Sequence, residues 1–304
     1  MNDNFPEFSD LVLRICQKNP LQNKAIRSFL NNRDNVFWKR AETFASKFIT
    51  FLELHQLSRN YAVDCYLKMC RDMLTEQIRF KKSGSYSLKT ADQAEVDIYS
   101  SEEEMASYVY AIALSFFLWP NHYAMYDFFI KESKKIHNIE SYLEIGPGHG
   151  LYLARSINFF PNAEFSAIDI SPISKRITEA LVSHFTGNTK CEFHLQDINE
   201  FDGSFYDYIV VGEVLEHLDD PLFVLKKLRD MLSENGRMFL TTCANCPAID
   251  HIYLYDSVAA IRDQVEKAGF KILVDLPLAV GDYPECEWDD KKVEVNYAAM
   301  VQGI

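Results

Sequence analysis

The second half of the chain predicts an α/β fold, a doubly wound, mostly parallel, seven-stranded sheet, and the first half predicts an all-α domain before it. Three observations carry this reading. From about residue 138, short β-rich runs alternate with helical runs, the pattern of a parallel sheet with crossover helices. Residues 1 to about 135 instead space their apolar residues three or four apart, with no convincing strand alternation. Between the first strand and first helix of the second half stands the glycine-rich "EIGPGHG", 144–150. The boundaries follow as 1–135 for the helical domain and 136–304 for the sheet domain.

Taken in order, "DLVLRICQ", "VFWKRAETFASKFITFLELHQL", "YAVDCYLKMCRDMLTEQIRF" and "EEEMASYVYAIALSFFLW" are the helical runs of the first half. "FKKSGSYSLKTADQ", 80–93, is a polar, glycine-containing break between two of them. "SSEEEM", 100–105, starts a helix with a serine cap and acids in the first turn. Pro120 ends or kinks that helix after Trp119. In the second half the strands are "SYLEIG", "EFSAIDI", "CEFHLQD", "YDYIVVGE", "GRMFLTTCA", "FKILVDLPL" and "KVEVNYAAMVQ". The intervening helices are "GLYLARSINFF", "SKRITEALVSHF", "DPLFVLKKLRDML" and "DSVAAIRDQVEKAG".

Composition narrows the class of protein. With 48% hydrophobic and 25% charged residues, the chain has the balance of a globular protein with a sizeable core. A formal charge of −13 repels phosphate backbones and disfavours a general nucleic-acid binder. The opening "MNDNFPEFSD" is acidic and polar, unlike a signal peptide. The longest apolar stretch, 108–119, is too short to span a bilayer. Seven scattered cysteines, an odd number, point to reduced thiols and a cytoplasmic location.

Gly146, Gly148 and Gly150 let the backbone turn tightly and approach a ligand with no Cβ in the way. Their spacing is G-x-G-x-G. The dinucleotide fingerprint would need glycine at 151, where leucine stands, and no Gly-Lys-Ser/Thr follows to make a P-loop. Ligands of such sheets bind beyond the carboxyl ends of the strands. Asp169 ends the second strand, where a carboxylate accepts both hydroxyls of a ribose. Asp197 ends the third, where one takes the exocyclic amine of an adenine. Acids at consecutive strand ends exceed what capping alone explains.

With these residues assembled, the second half resembles a class I S-adenosylmethionine-dependent methyltransferase, a Rossmann-like fold. "LEIGPGHG" is similar to that family's first motif, "AIDIS" to its ribose-binding segment, "LQDI" to its adenine-contacting segment, and "YDYIVVGEVLEHLDDP" to the motif around the fourth strand. The resemblance covers roughly 138–304 and implies S-adenosylmethionine as cofactor. It implies that Glu144, Gly146, Gly148, Gly150, Asp169, Ile170, Asp197, Ile198 and Glu213 line the cofactor site.

Methyl transfer needs alignment and exclusion of water, plus a base where the acceptor loses a proton. Glu213, Glu216 and His217 stand at i, i+3 and i+4, one face of a helix. His251 follows the fifth strand on the same edge of the sheet. His217 and His251 are the catalytic candidates. Glu213, Glu216, His217 and His251 together are a candidate seat for Mg²⁺, Mn²⁺ or Zn²⁺. The set resembles those of metal-dependent small-RNA 2′-O-methyltransferases and of ubiquinone-pathway O-methyltransferases. The competing reading is that Glu216 caps or orients a loop, His217 contacts substrate or simply packs, and Asp250 is structural. "CANC", 243–246, lacks the second pair a zinc site wants and reads as packing cysteines bordering the pocket.

In the helical half, Trp119, His122, Tyr123 and Tyr126 are the substrate-site candidates, with core packing as the alternative. Tyr86 is a weaker lid candidate. The helices are expected to cover the cofactor and shape the acceptor pocket, and can also dimerise. The expectation is thus an enzyme that methylates a small molecule, at oxygen before nitrogen or carbon, with no nucleic acid or membrane partner. The alternatives are a metal-dependent 2′-O-methyltransferase of RNA ends and a non-catalytic cofactor-binding subunit.

Overall fold

The computed structural model describes residues 4–187 and 191–304. The first half is helical: α1 (Pro6–Lys18), α2 (Pro20–Asn31), α3 (Asn35–Leu54), α4 (Arg59–Ser83), the short α5 (Ala91–Ala94) with a π-turn over Glu95–Tyr99, α6 (Glu102–Leu118) and α7 (Pro120–Ser133). Local chemistry sets the boundaries. Asn19 closes α1, and its side chain accepts from Leu21 N at 3.1 Å to open α2 with Pro20 at its first position. Ser101 Oγ accepts from Glu104 N to cap α6, as expected. Pro120 ends that helix and starts α7.

The polar break is shorter than 80–93. Lysines 81 and 82 sit in the last turn of α4, where cations suit the helix dipole, and Gly84 takes the left-handed cap at φ 71°, so the helix runs on to Ser83.

The second half alternates β1 (Ser141–Ile145), α8 (Leu151–Phe159), β2 (Glu164–Asp169), α9 (Pro172–Thr186), β3 (Cys191–Leu195), β4 (Tyr206–Gly212), α10 (Pro221–Asp230), β5 (Leu232–Ala244), α11 (Val258–Lys267), β6 (Phe270–Ala279), α12 (Trp288–Lys291) and β7 (Val295–Gly303). The seven strands form one sheet in the order β3-β2-β1-β4-β5-β7-β6, parallel except for β7, which runs antiparallel to both neighbours. The strand order reverses between β1 and β4, the place where such sheets open a crevice.

Period-two alternation sends the central strands' side chains into two cores. Leu143, Ile145, Ile209, Val211 and Leu240 face α10 and α11. Tyr142, Tyr208, Val210 and Phe239 face α8 and α9, and there the core continues without a break into the N-terminal helices. α3 and α6 pack on α9, and α7 on α8. The helical half therefore covers one face of the sheet and overhangs its carboxyl edge.

Candidate active site

A chamber of about 780 Å³ lies beyond the carboxyl ends of β1, β2, β4 and β5, roofed by helices of the first half. One side is built by strand tips. Gly146 N donates to Ile168 O at 2.8 Å, tying the glycine loop to β2. Gly146, Gly148 and Gly150 all adopt positive φ (58°, 50° and 68°). Gly146 and Gly148 expose bare backbone to the chamber. Gly150 does not line it. A Cβ there would stand 2.5 Å from Val182 Cγ2, so this glycine serves the contact of α8 with α9.

Glu144, Asp169, Ile170, Asp197, Ile198 and Glu213 line the chamber as the sequence suggests, joined by Gln196. Glu144 is fully buried and accepts from the Tyr142 hydroxyl; burial pushes its carboxyl up to about 8. Asp169 accepts from Ser171 N at 2.9 Å and from Ser174 Oγ at 2.6 Å. Burial outweighs these bonds and raises it to about 6. Ile170 is 43% exposed, an apolar face left open beside that carboxylate.

The segment after β4 departs from expectation. Glu213 sits in the left-handed region at φ 51°, its N–H held by Thr241 O and Oγ1 at 3.0 Å each, and Leu215–His217 make a single 3-10 turn. No helix face therefore gathers Glu213, Glu216 and His217. Glu216 is buried behind the wall. Its Oε2 accepts from Thr242 Oγ1 at 2.7 Å, and its backbone carbonyl receives Ile252 N and Tyr253 N. Burial, and then the neighbouring Glu213 charge, push the Glu216 carboxyl well above the usual carboxylate range. Burial raises the Glu213 carboxyl too, and the Oε1 atoms of both glutamates are buried with no hydrogen-bond partner among the described residues.

His217 and His251 do come together, their rings edge to face with centroids 4.8 Å apart. His217 Nδ1 lies 3.0 Å from the Asp250 carbonyl oxygen and 3.6 Å from Asp250 Oδ2. His251 Nδ1 lies 2.6 Å from the Cys246 carbonyl oxygen. A carbonyl only accepts, so the His251 ring carries its proton on Nδ1 and leaves Nε2 with a lone pair; His217 Nδ1 is shared between the Asp250 carbonyl oxygen and the Tyr99 hydroxyl, 3.2 Å away. Burial lowers His251 to about 4, which keeps it neutral.

The predicted metal quartet is not one ligand set. Among the described residues, the donor groups that converge are Glu216, Cys243 and His251, and His217, Asp250 and His251; Glu213 belongs to neither. Cys243 and Cys246 border the chamber as free thiols, Cys243 pushed up by its bond with Cys246 and then by burial.

On the helical side, Trp119 and His122 line the chamber, while Tyr123 and Tyr126 do not. Tyr123 packs on Phe37 and its hydroxyl accepts from Arg40, and Tyr126 packs on Phe116 and Tyr152. Tyr86 rests its ring against His251 at 5.6 Å without lining the chamber. Sequence reasoning missed His149, Tyr99, Tyr108 and Tyr152, which do line it. His149 lay in plain view inside the glycine loop, where only the glycines were read.

A doubly wound sheet with a reversed β7, a glycine loop after β1 and acids at successive strand tips define a class I S-adenosylmethionine-dependent methyltransferase domain. Residues 143–238 match the family model described as a methyltransferase domain, so this part of the chain is a domain of that class. It is 28% identical over 165 residues to a tRNA U34 carboxymethyltransferase of Campylobacter jejuni, covering 48% of this chain and 56% of the relative. It is 27% identical over 110 residues to a ubiquinone biosynthesis O-methyltransferase of Xanthomonas campestris, covering 35% and 44%. The chain thus spans about half the length of the curated relatives it matches. A solved coclaurine N-methyltransferase, bound to N-methylheliamine and SAH, shares the fold with a TM-score of 0.53 at 13% identity, over 78% of this chain and 88% of that one. Among the described residues, no helix is long and apolar enough to cross a membrane.

Proposed function

We propose that this chain transfers a methyl group from S-adenosylmethionine to a hydroxyl of a small molecule enclosed in the chamber, with residues 1–135 forming the roof over the cofactor domain, 136–304. One observation carries the reading. The chamber joins the strand-tip acids to two adjoining imidazoles at its wall, the half-buried His217 and the buried, neutral His251. When bound, the cofactor supplies a methyl on a positively charged sulfur.

The chain's own residues do the rest. Asp169 and Asp197 hold the ribose and adenine, Ile170 and Ile198 offer apolar surface to the base, and the backbone of Gly146 and Gly148 hugs the amino-acid tail. Glu213 lines the same cleft. His217 takes the acceptor's proton on Nε2, and Asp250 Oδ2, 3.6 Å from Nδ1, stabilises the imidazolium that forms. His251 stays neutral and positions the hydroxyl. The roof excludes water from the transfer.

No step runs through a metal ion, because the donor groups do not form the expected set. Turnover that survives thorough chelation supports this; turnover abolished by a chelator and restored by Mg²⁺, Mn²⁺ or Zn²⁺ would reinstate the metal. The RNA reading suggested by the tRNA-directed relatives is disfavoured, because no lysine or arginine lines the chamber among the described residues. The test of the whole proposal is calorimetric titration with S-adenosylhomocysteine, followed by transfer of labelled methyl from S-adenosylmethionine to a metabolite extract. No uptake of either cofactor form by the folded protein would sink it.

A further inference from the structure

His122 and His149 are each more than nine-tenths buried, lie on different elements, and both line the chamber. Both pack on Phe116, with centroids at 5.9 and 4.2 Å. Their outer hydrogen bonds fix opposite tautomers. Ser115 Oγ donates its only proton to Ile112 O at 2.7 Å, so at 2.8 Å it can only accept from His122 Nδ1. His122 therefore presents a bare Nε2 lone pair. Leu151 N–H donates to His149 Nδ1 at 3.0 Å, so the ring proton of His149 stands on Nε2. Neither Nε2 atom has a protein partner among the described residues, and neither is one of the enclosed unpaired atoms, so both open on the cavity.

Burial holds both rings neutral, His122 near 4 and His149 near 3. One ring accepts and the other donates, and the lining holds no lysine or arginine to balance a negative ligand. Aspartates and glutamates border the same space, among them Asp92, Glu95, Asp250 and Glu294.

On the reading of the chain as a small-molecule methyltransferase, we infer that the acceptor is an uncharged molecule bearing, apart from the methylated hydroxyl, a neutral polar group that donates to His122 and accepts from His149. An amide, lactam or second hydroxyl meets this description. A carboxylate or phosphate does not, because its oxygens would face the His122 lone pair. The neighbouring Trp119 and Tyr152 make the rest of this end aromatic.

The test uses the full chain saturated with S-adenosylhomocysteine and two probes of the same shape, 3-hydroxybenzamide and 3-hydroxybenzoate, titrated by calorimetry at neutral pH. The amide is expected to bind more tightly than the carboxylate by about tenfold or more, the worth of one buried hydrogen bond with its partner left unpaired. His122→Phe should collapse that preference. Ser115→Ala, which frees the His122 proton to move to Nε2, should shrink it with the ring still in place, a change that a merely structural histidine would not produce. Equal or tighter binding of the carboxylate, binding of neither probe, or an undiminished preference in both variants would overturn the inference. Failure of S-adenosylhomocysteine itself to bind would instead remove the function on which it rests.

Discussion

If Asp169 holds the cofactor ribose, the affinity for S-adenosylhomocysteine must rise with pH in a window set by this one carboxyl. An ordinary aspartate, with a pKa of about 3.9, is ionised throughout the range from pH 5 to 7 and gives a flat profile there. Asp169 is 8% exposed, and burial lifts it to about 6 despite the bonds from Ser171 N and Ser174 Oγ. Only the carboxylate can accept from both ribose hydroxyls while keeping those two bonds. The ionised fraction falls from roughly nine-tenths at pH 7 to one-tenth at pH 5, so affinity should drop about tenfold, or about 1.4 kcal/mol. Linkage gives the same group a second signature. A raised folded pKa stabilises the folded state fully below the unfolded value, and that contribution is lost as pH rises through about 6. Cofactor binding should therefore release protons near pH 6. Calorimetry at pH 5, 6 and 7, in buffers of different ionisation enthalpy, reads both effects. Asp169→Asn should bind more weakly at pH 7 by about 1–3 kcal/mol and show a flat profile. A flat profile in the parent, or the same slope in the variant, would refute the assignment.

Gly148→Ala should cost about 1–2 kcal/mol in urea unfolding, the strain of a left-handed alanine with no close neighbour, since the nearest atom is Gly146 O at 3.8 Å. Gly150→Ala should cost a further 1–3 kcal/mol or so, because its Cβ would also meet Val182 and Thr178; equal costs would show that α8 and α9 are not locked there. Glu216→Gln should change stability at neutral pH by less than about 1 kcal/mol, since burial favours the neutral form of this carboxyl and the amide keeps an oxygen for Thr242, whereas Glu216→Ala strands Thr242 and opens a cavity for roughly 2–4 kcal/mol. The parent should also lose stability as pH rises through the raised pKa of the glutamate pair, and Glu216→Gln should flatten that loss. Asp250→Asn should lower kcat on the order of a hundredfold, with KM little moved, if it stabilises the His217 imidazolium; a fall in KM-dependent terms alone would assign Asp250 to binding.

Much of the fold was legible because its signals are local or strictly periodic. The β/α alternation from 138 onward gives seven strands, and the serine at 101 and proline at 120 bracket α6 in the structure as in the sequence. α2 escaped notice because its start depends on Asn19, which ends one helix and caps the next within a residue. The end of α4 was misplaced because charge near a helix terminus outweighed the polar look of "FKKS". The turn after β4 was misread for a stronger reason. The i, i+3, i+4 spacing of Glu213, Glu216 and His217 fits a helix, but Thr241 on the neighbouring strand claims the Glu213 N–H twice and turns the backbone into the left-handed region. That contact spans 28 residues, and no local pattern contains it.

At the site, residue identity was legible and residue state was not. Trp119, His122, Tyr123 and Tyr126 share one i, i+3, i+4, i+7 face in the sequence, yet two of them line the chamber and two pack into the core. The same holds, more sharply, for the histidines. His122, His149, His217 and His251 are one residue type, and composition treats all as neutral at pH 7. Their chemistry differs because each Nδ1 meets a different neighbour. Ser115 Oγ and the Cys246 carbonyl oxygen pin a proton on His122 and His251, the Leu151 N–H drives it off His149, and His217 Nδ1 is shared between the Asp250 carbonyl oxygen and the Tyr99 hydroxyl. Since these partners come from separate helices, a π-turn and a loop, the proton map of the chamber is a property of the tertiary fold. An acceptor that matched this map with the donor and acceptor exchanged would have to protonate one buried ring and strip another, which is why hydrogen-bond polarity, rather than size or hydrophobicity, should decide what this chamber holds.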